Sequence, residues 1–337
     1  MKVFVTGANG FVGAAVCQKL LDRGDEVHAL VRATSDLSLL EGLNVHIHVG
    51  SLQEIETVRP LLQGVQVIYH VAAAVGDWGP LSWFRELNVE ATRRLLETAA
   101  QAGVRRLVYV SSVAVHSFVG ARNMHENSPQ LPTPFPYCQS KREAEMVVRD
   151  FHSPSSLETV IIRPGDVYGP GDRTSLLKMA SMLEKGGMLL VGGGKTLGAF
   201  TYVENLADGI VLGGTHPEAA GDTFIITDGV EMSWKTYFDK LTAALDLPRV
   251  RWSVHPLAVK VLAGMLEGVH RLFRLKGRPL VTRYLVDHLC GDFHFRIDKA
   301  QEVLGYVPAV GVDEAIQRTA AWYRRVVRGE AIATAGE

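Results

Sequence analysis

Residues 2–16, "KVFVTGANGFVGAAV", decide the fold. A short apolar run leads into glycines at positions 7, 10 and 13, then into small and apolar residues at helical spacing. The pattern is a strand, a tight turn and a helix. Glycine suits such a turn because a Cβ would hold the backbone away from a bound anion and the helix away from the strand. The free N–H groups of the helix's first turn then face the anion with their positive ends. Thr6, Gly7, Asn9, Gly10, Phe11, Val12 and Gly13 are therefore candidate ligands of a nucleotide pyrophosphate.

Outward from this turn the same alternation repeats. Apolar runs at 2–7, 26–32, 44–50, 65–73, 106–112 and 157–164 read as buried strands. Helical periodicity separates most of them, over 12–23, 54–62, 83–102 and 137–151. Strands alternating with helices form a parallel sheet covered on both faces, and right-handed crossovers make it a doubly wound, Rossmann-type α/β fold. After Pro164 the alternation loosens into a Gly/Pro-rich loop, a strand feeding a helix at 198–213, a further strand at 222–229 and mainly helical sequence from Met232. The expected organisation is a nucleotide-binding core over 1–165, with 198–229 returning to it. A smaller, mainly helical substrate-binding part takes 166–197 and 230–330.

The bulk properties narrow the partners. The chain has 337 residues, 47% apolar and 21% charged, an ordinary globular composition. A net charge of −1 argues against non-specific attraction to nucleic acid. Cys17, Cys138 and Cys290 suit neither a disulfide framework nor a zinc site, and the histidines show no metal-ligand spacing, so no metal is expected. The N-terminus lacks the pattern of a signal peptide and no run is long and apolar enough to span a bilayer, so a cytoplasmic location is expected.

The segment "PFPYCQSKREAE" (134–145) places Tyr137 and Lys141 on one helix face. A phenol with a pKa of about 10 is a poor proton relay at neutral pH, and a nearby ammonium would lower that value. The fifth strand ends in Ser111-Ser112, whose hydroxyls could hold a substrate oxygen toward the tyrosine.

Taken together, Thr6 before Gly-x-x-Gly-x-x-Gly, the serine pair and Tyr-x-x-x-Lys resemble the extended branch of the short-chain dehydrogenase/reductases. The resemblance covers nearly the whole chain. It implies an NAD(P) cofactor and a triad of Ser112, with Ser111 the alternative, Tyr137 and Lys141. Arg32 ends the second strand where an acidic residue would bind the adenosine ribose, which favours NADP(H) over NAD(H). Asp36 is a nearby candidate to neutralise it. Ser51, followed by Leu52, stands where the family usually carries an aspartate near the adenine. The resemblance also brings Ala72, Ala73, Ala74 and Ser111 to the cofactor, and Pro164 and Gly165 to the nicotinamide. Asn88 in "LNVEATRRLL" has either a cofactor or a structural role. A homodimer through the helices at 83–102 and 137–151 is a further expectation.

"AAAVGDWGP" (72–80), "RPGDVYGPGD" (163–172) and residues 278–308 resemble the 3β-hydroxysteroid dehydrogenase group, which includes sterol-carboxylate dehydrogenases and reductases of 2-alkyl-3-oxoalkanoates. This implies a secondary alcohol or ketone on a bulky hydrophobic small molecule, with Trp78, Val113, Asp166 and Val167 as candidate substrate contacts. The alternatives are a nucleotide-sugar epimerase or dehydratase that recycles bound NAD, and a non-catalytic cofactor sensor. Residues 256–275 form an amphipathic helix whose apolar stripe (Leu257, Val261, Met265, Leu266, Val269, Leu272, Phe273) suits a core or subunit face, a roof over the substrate, or peripheral contact with a membrane.

Overall fold

The computed structural model describes residues 1–118 and 120–329; the last residue of the expected 230–330 part lies outside them. Seven parallel strands form the central sheet: β1 (Lys2–Thr6), β2 (Glu26–Val31), β3 (His46–Val49), β4 (Val67–His70), β5 (Arg106–Val110), β6 (Glu158–Pro164) and β7 (Thr223–Ile226). Their order is β7-β6-β5-β4-β1-β2-β3, so the winding reverses between β1 and β4. That reversal opens a crevice at the strands' carboxyl ends, where such sheets bind ligands.

Apart from the largely exposed edge strand β3, the strands are apolar on both sides because both sides are covered. Val3 and Val5 pack with α1 (Phe11–Asp22) and α6 (Val203–Thr215), whereas Phe4 and Ile68 pack against α3 (Ala91–Gln101) and α4 (Pro136–Asp150). β7, from the segment expected to return to the core, pairs with β6 from Thr223↔Ile161 to Ile226↔Pro164. A second apolar cluster joins α5 (Ser175–Glu184), α7 (Trp234–Ala244) and α11 (Val312–Val327) beside the sheet.

Two elements differ from their sequence reading. Residues 54–62 form two 3₁₀ turns, Leu52–Thr57 and Arg59–Leu62, instead of one helix. Glu54 leaves helical geometry (φ −115°, ψ 52°) and Pro60 cannot donate into a continuous helix. The helix at 83–102 begins at α2 (Leu81–Arg85) and passes through a π turn, Glu86–Glu90, before α3.

Of the placements open to α8 (Pro256–Leu272), the structure shows one with the apolar stripe turned away from the core. Leu257, Val261, Met265 and Leu272 are each more than half exposed, while Ala263 and Glu267 face inward against α9 (Arg283–Cys290). Polar pairs fix this orientation: Glu267 accepts from the Arg283 backbone (2.7 Å) and side chain (2.8 Å), and Lys260 bonds Asp287 at 2.6 Å. α10 (Asp298–Leu304) completes the helices. Among the described residues no helix is long and apolar enough to cross a membrane.

Candidate active site

The glycine turn packs backbone to backbone, at distances that admit no side chain. A Cβ on Gly7, whose φ is +69°, would stand 2.7 Å from the Ala72 nitrogen, and one on Gly13 would stand 2.0 Å from the Gly7 oxygen. Gly10 caps α1 without a side-chain hydrogen bond, so the first-turn N–H groups stay open to an anion. This cradle fits a dinucleotide pyrophosphate. Thr6 is fully buried, and its hydroxyl serves the walls of the crevice rather than the opening.

Those walls are held by a directional chain of hydrogen bonds. The Thr92 hydroxyl donates to the Asn88 carbonyl (2.8 Å), so it accepts from His70 Nε2 (2.9 Å). His70 Nδ1 then accepts from the Thr6 hydroxyl (2.7 Å), which in turn accepts from the Ala72 N–H (3.3 Å). Burial, aided by Lys141, holds the His70 pKa down at about 3, so the ring is neutral as this chain requires. Asn88 clamps Ala74 from both sides, accepting from its N–H (2.7 Å) and donating to its carbonyl (3.0 Å). Asn88 is therefore a positioning residue for 72–74. The π turn carries it inward, where its amide also donates to Ser140 Oγ at 3.0 Å. His70 went unassigned in the sequence reading, although a histidine at the end of an apolar strand was the available signal.

α4 supplies the reactive face. Pro136 opens it as a first-turn proline, and Tyr137, Lys141 and Glu145 follow one another on its buried side. The Tyr137 phenol faces the Ser112 side chain. Burial pushes its pKa up and Ser112 opposes that rise, so the phenol is held protonated. Ser112 Oγ also accepts from the Ala114 N–H (3.1 Å) as it caps a 3₁₀ turn, Val113–His116, which leaves its own hydrogen to donate. Lys141 is 2% exposed and donates to the Val110 carbonyl at 2.8 Å. Burial lowers its pKa to about 7, while Glu145 pulls it the other way. The expectation that Lys141 depresses the tyrosine pKa is corrected here: burial dominates Tyr137, and the opposing contact is Ser112.

Glu145 anchors a buried polar network beneath the triad. It receives Arg163 in bidentate fashion (2.8 and 2.7 Å) and the Ser111 hydroxyl at 2.6 Å. Burial works against its charge, but Arg163 more than compensates and its pKa lies below the usual carboxylate range. The Ser111 hydroxyl is thus committed to Glu145, whereas Ser112 stands beside Tyr137. An arginine inside the apolar run "VIIRP" was the signal that a buried acid had to face it.

The remaining candidates divide between the crevice and its supports. Arg32 is exposed at the end of β2, and its backbone N–H donates to Ser35 Oγ (3.0 Å). Asp36 does not neutralise it, because Asp36 bonds Arg173 at 2.5 Å from the loop after β6. Asn9 donates to the Asp36 carbonyl (3.3 Å), and Ser51 caps the 3₁₀ turn by accepting from Gln53, with Leu52 packed behind. Ala73 is half-buried between the two clamped alanines. Pro164 ends β6, and Gly165 passes so close to Ala199 that a Cβ would meet its oxygen at 1.9 Å. Asp166, read as a substrate contact, instead accepts from the Ala199 N–H (3.1 Å) and pairs with His288 (2.9 Å), fixing α9 to the core. Val113 is buried and Val167 packs between the two apolar clusters.

An aromatic wall completes the site. Phe84 and Tyr284 lie edge-on to the Tyr137 ring at 6.2 and 6.4 Å, and Tyr284 continues to Phe135 (5.3 Å) and Phe118 (4.8 Å). Tyr284 comes from α9, far away in sequence, and only the fold reveals it. Trp78 lies under the Arg271 guanidinium at 5.3 Å, where the 72–80 segment meets the end of α8. Away from the site, at the opposite end of β2, Glu26, His28 and His46 converge with ligand atoms within 4.8 Å of one another. Their spacing across two strands hid this cluster from the sequence reading.

Residues 3–227 match the NAD dependent epimerase/dehydratase family. The 2-alkyl-3-oxoalkanoate reductase of Stenotrophomonas maltophilia (strain K279a) is 30% identical over 328 residues, covering 94% of this chain and 98% of its own. The 3-beta-hydroxysteroid dehydrogenase of Mycolicibacterium neoaurum is 30% identical over 340 residues, covering 96% and 90%. Among solved structures, the dTDP-glucose 4,6-dehydratase DesIV of Streptomyces venezuelae with NAD and TYD bound has a TM-score of 0.77 at 26% identity, covering 98% of each chain. With the glycine cradle and the Ser112–Tyr137–Lys141 face in place, these likenesses identify the chain as a member of the NAD dependent epimerase/dehydratase family, in the extended branch of the short-chain dehydrogenase/reductases, and as an NAD(P)-dependent oxidoreductase.

Proposed function

We propose that the protein interconverts a ketone and a secondary alcohol on a bulky apolar substrate, of the 3-ketosteroid or long-chain 3-oxo class, and that it prefers NADP(H). The observation that carries the reading is a protonated, buried Tyr137 beside Ser112 and walled by Phe84 and Tyr284. The reductase and steroid dehydrogenase relatives act on molecules of that kind by name.

Gly7, Gly10 and Gly13 would hold the cofactor pyrophosphate, and Arg32 would meet a 2′-phosphate. A reduced nicotinamide, when bound, supplies the hydride. The Ser112 O–H, whose oxygen accepts from Ala114, would orient the carbonyl oxygen toward Tyr137. Tyr137, held in its acid form by burial, donates the proton to that oxygen. Lys141, with a pKa near 7, can return a proton to the site at neutral pH. Phe84 and Tyr284 exclude water from the transfer.

The likeness to a sugar-nucleotide dehydratase structure supports a second reading, in which bound NAD is reduced and reoxidised within one turnover. Against it, Asp166 in "RPGDVYG" is bound to Ala199 and His288 rather than open to a polar substrate.

The test is turnover with NADPH and NADH against a 3-ketosteroid, a 2-alkyl-3-oxo acid and a nucleotide sugar. Net NADPH consumption with an apolar ketone is expected. Sugar conversion without net cofactor change would overturn the reading. Arg32→Glu should reverse the NADPH/NADH preference by about tenfold or more if the guanidinium pairs a 2′-phosphate.

A further inference from the structure

α8 turns its apolar side outward while ion pairs hold its polar side against α9. Leu257, Met265, Leu272 and Phe273 are 64–77% exposed, and Leu280 beyond the helix is 83% exposed. Isolated surface leucines need no explanation, but a contiguous stripe of this length marks an interaction surface.

The charge around the stripe says what covers it. From Gly268 to Val286 the chain has no acidic residue, while Arg271, Arg274, Lys276 and Arg278 follow closely upon one another. Arg278 shares Asp77 and Arg271 shares Glu267, whereas exposed Arg274 and Lys276 have no ion pair among the described residues. A second copy docked here through a two-fold axis would set these cations against their own images. An anionic bilayer satisfies both features, since apolar side chains enter the acyl boundary as cations meet the headgroups.

We propose that α8 and the basic segment after it seat the protein on an anionic lipid surface. The seat adjoins the reaction centre. Arg271 covers Trp78, Thr282 donates to Asp77 at 2.9 Å, and Tyr284 two residues on stands edge-on to Tyr137. A substrate dissolved in the membrane would therefore meet the mouth of the aromatic wall directly. Docking itself does not depend on the reaction assigned above.

The experiment is co-sedimentation of the full chain with vesicles of phosphatidylcholine alone or with about 30 mol% phosphatidylglycerol, at low and high salt. Binding to the anionic vesicles that weakens with salt is expected. The double variant Leu272→Glu/Phe273→Glu should reduce it by about tenfold or more. Both side chains are exposed, so the fold is retained, and turnover of a short water-soluble ketone should not change. Arg274→Glu/Lys276→Glu should abolish the preference for phosphatidylglycerol. Failure of the wild type to sediment, or undiminished binding by the Leu272/Phe273 variant, overturns the proposal. So does a wild-type dimer that becomes monomeric in that variant by light scattering without vesicle binding, which would assign the face to a second copy.

Discussion

Lys141 keeps its ammonium out of water with the Val110 carbonyl as its hydrogen-bond acceptor. Burial brings its pKa from the ordinary 10.5 down to about 7. Between those values the unfolded chain carries a proton that the folded chain has released. Stability therefore rises with pH across the window, by about 1.4 kcal/mol per pH unit for one proton. The burial cost is fully present below pH 7 and disappears as pH climbs toward 10.5, the sense expected of a lysine whose folded pKa is depressed. Lys141→Met removes the titration with little change in volume. Urea unfolding of both proteins without cofactor should find the stability difference, wild type minus variant, climbing by about 2 kcal/mol from pH 7 to pH 9. Taking the difference cancels Cys17 and Cys138, whose burial raises both thiols to about 12 and lowers stability above pH 9. A difference that stays flat to within about 0.5 kcal/mol would refute the desolvated lysine.

Glu145→Gln leaves the Arg163 guanidinium buried without its counter-charge and should cost about 3–5 kcal/mol in urea unfolding; a loss below about 1 kcal/mol would mean the network is unimportant to the fold. The same change removes the group that raises the Lys141 pKa, so the lysine-dependent limb of the pH–rate profile should move to lower pH. Asn88→Ala frees Ala74 from both of its clamping bonds. It should weaken cofactor binding measured by fluorescence more than it lowers kcat, whereas an equal fall in both would argue against a positioning role.

The sheet was legible because most of its strands are apolar runs in a β/α alternation, and the glycine turn because its spacing has a steric cause. The expected helix at 54–62 failed because periodicity does not register what Pro60 and the Ser51 cap do to the backbone. Tyr137, Lys141 and Ser112 could be read because two share a helix face and the third ends a strand. Ser111 and Asp166 have partners that the sequence could not show, Glu145 in one case and Ala199 with His288 in the other. Tyr284 and the Glu26–His28–His46 cluster arise from pairings distant in sequence, and the outward turn of α8 depends on ion pairs with α9 that periodicity cannot report.

The most direct measurement is turnover of an apolar ketone with NADPH by wild type and by Tyr137→Phe, with cofactor binding measured on both. The account predicts net NADPH oxidation by the wild type and a loss of about 10²–10⁴ in kcat for the variant, with cofactor affinity unchanged. Full turnover by Tyr137→Phe would contradict it, because the proton would then come from elsewhere.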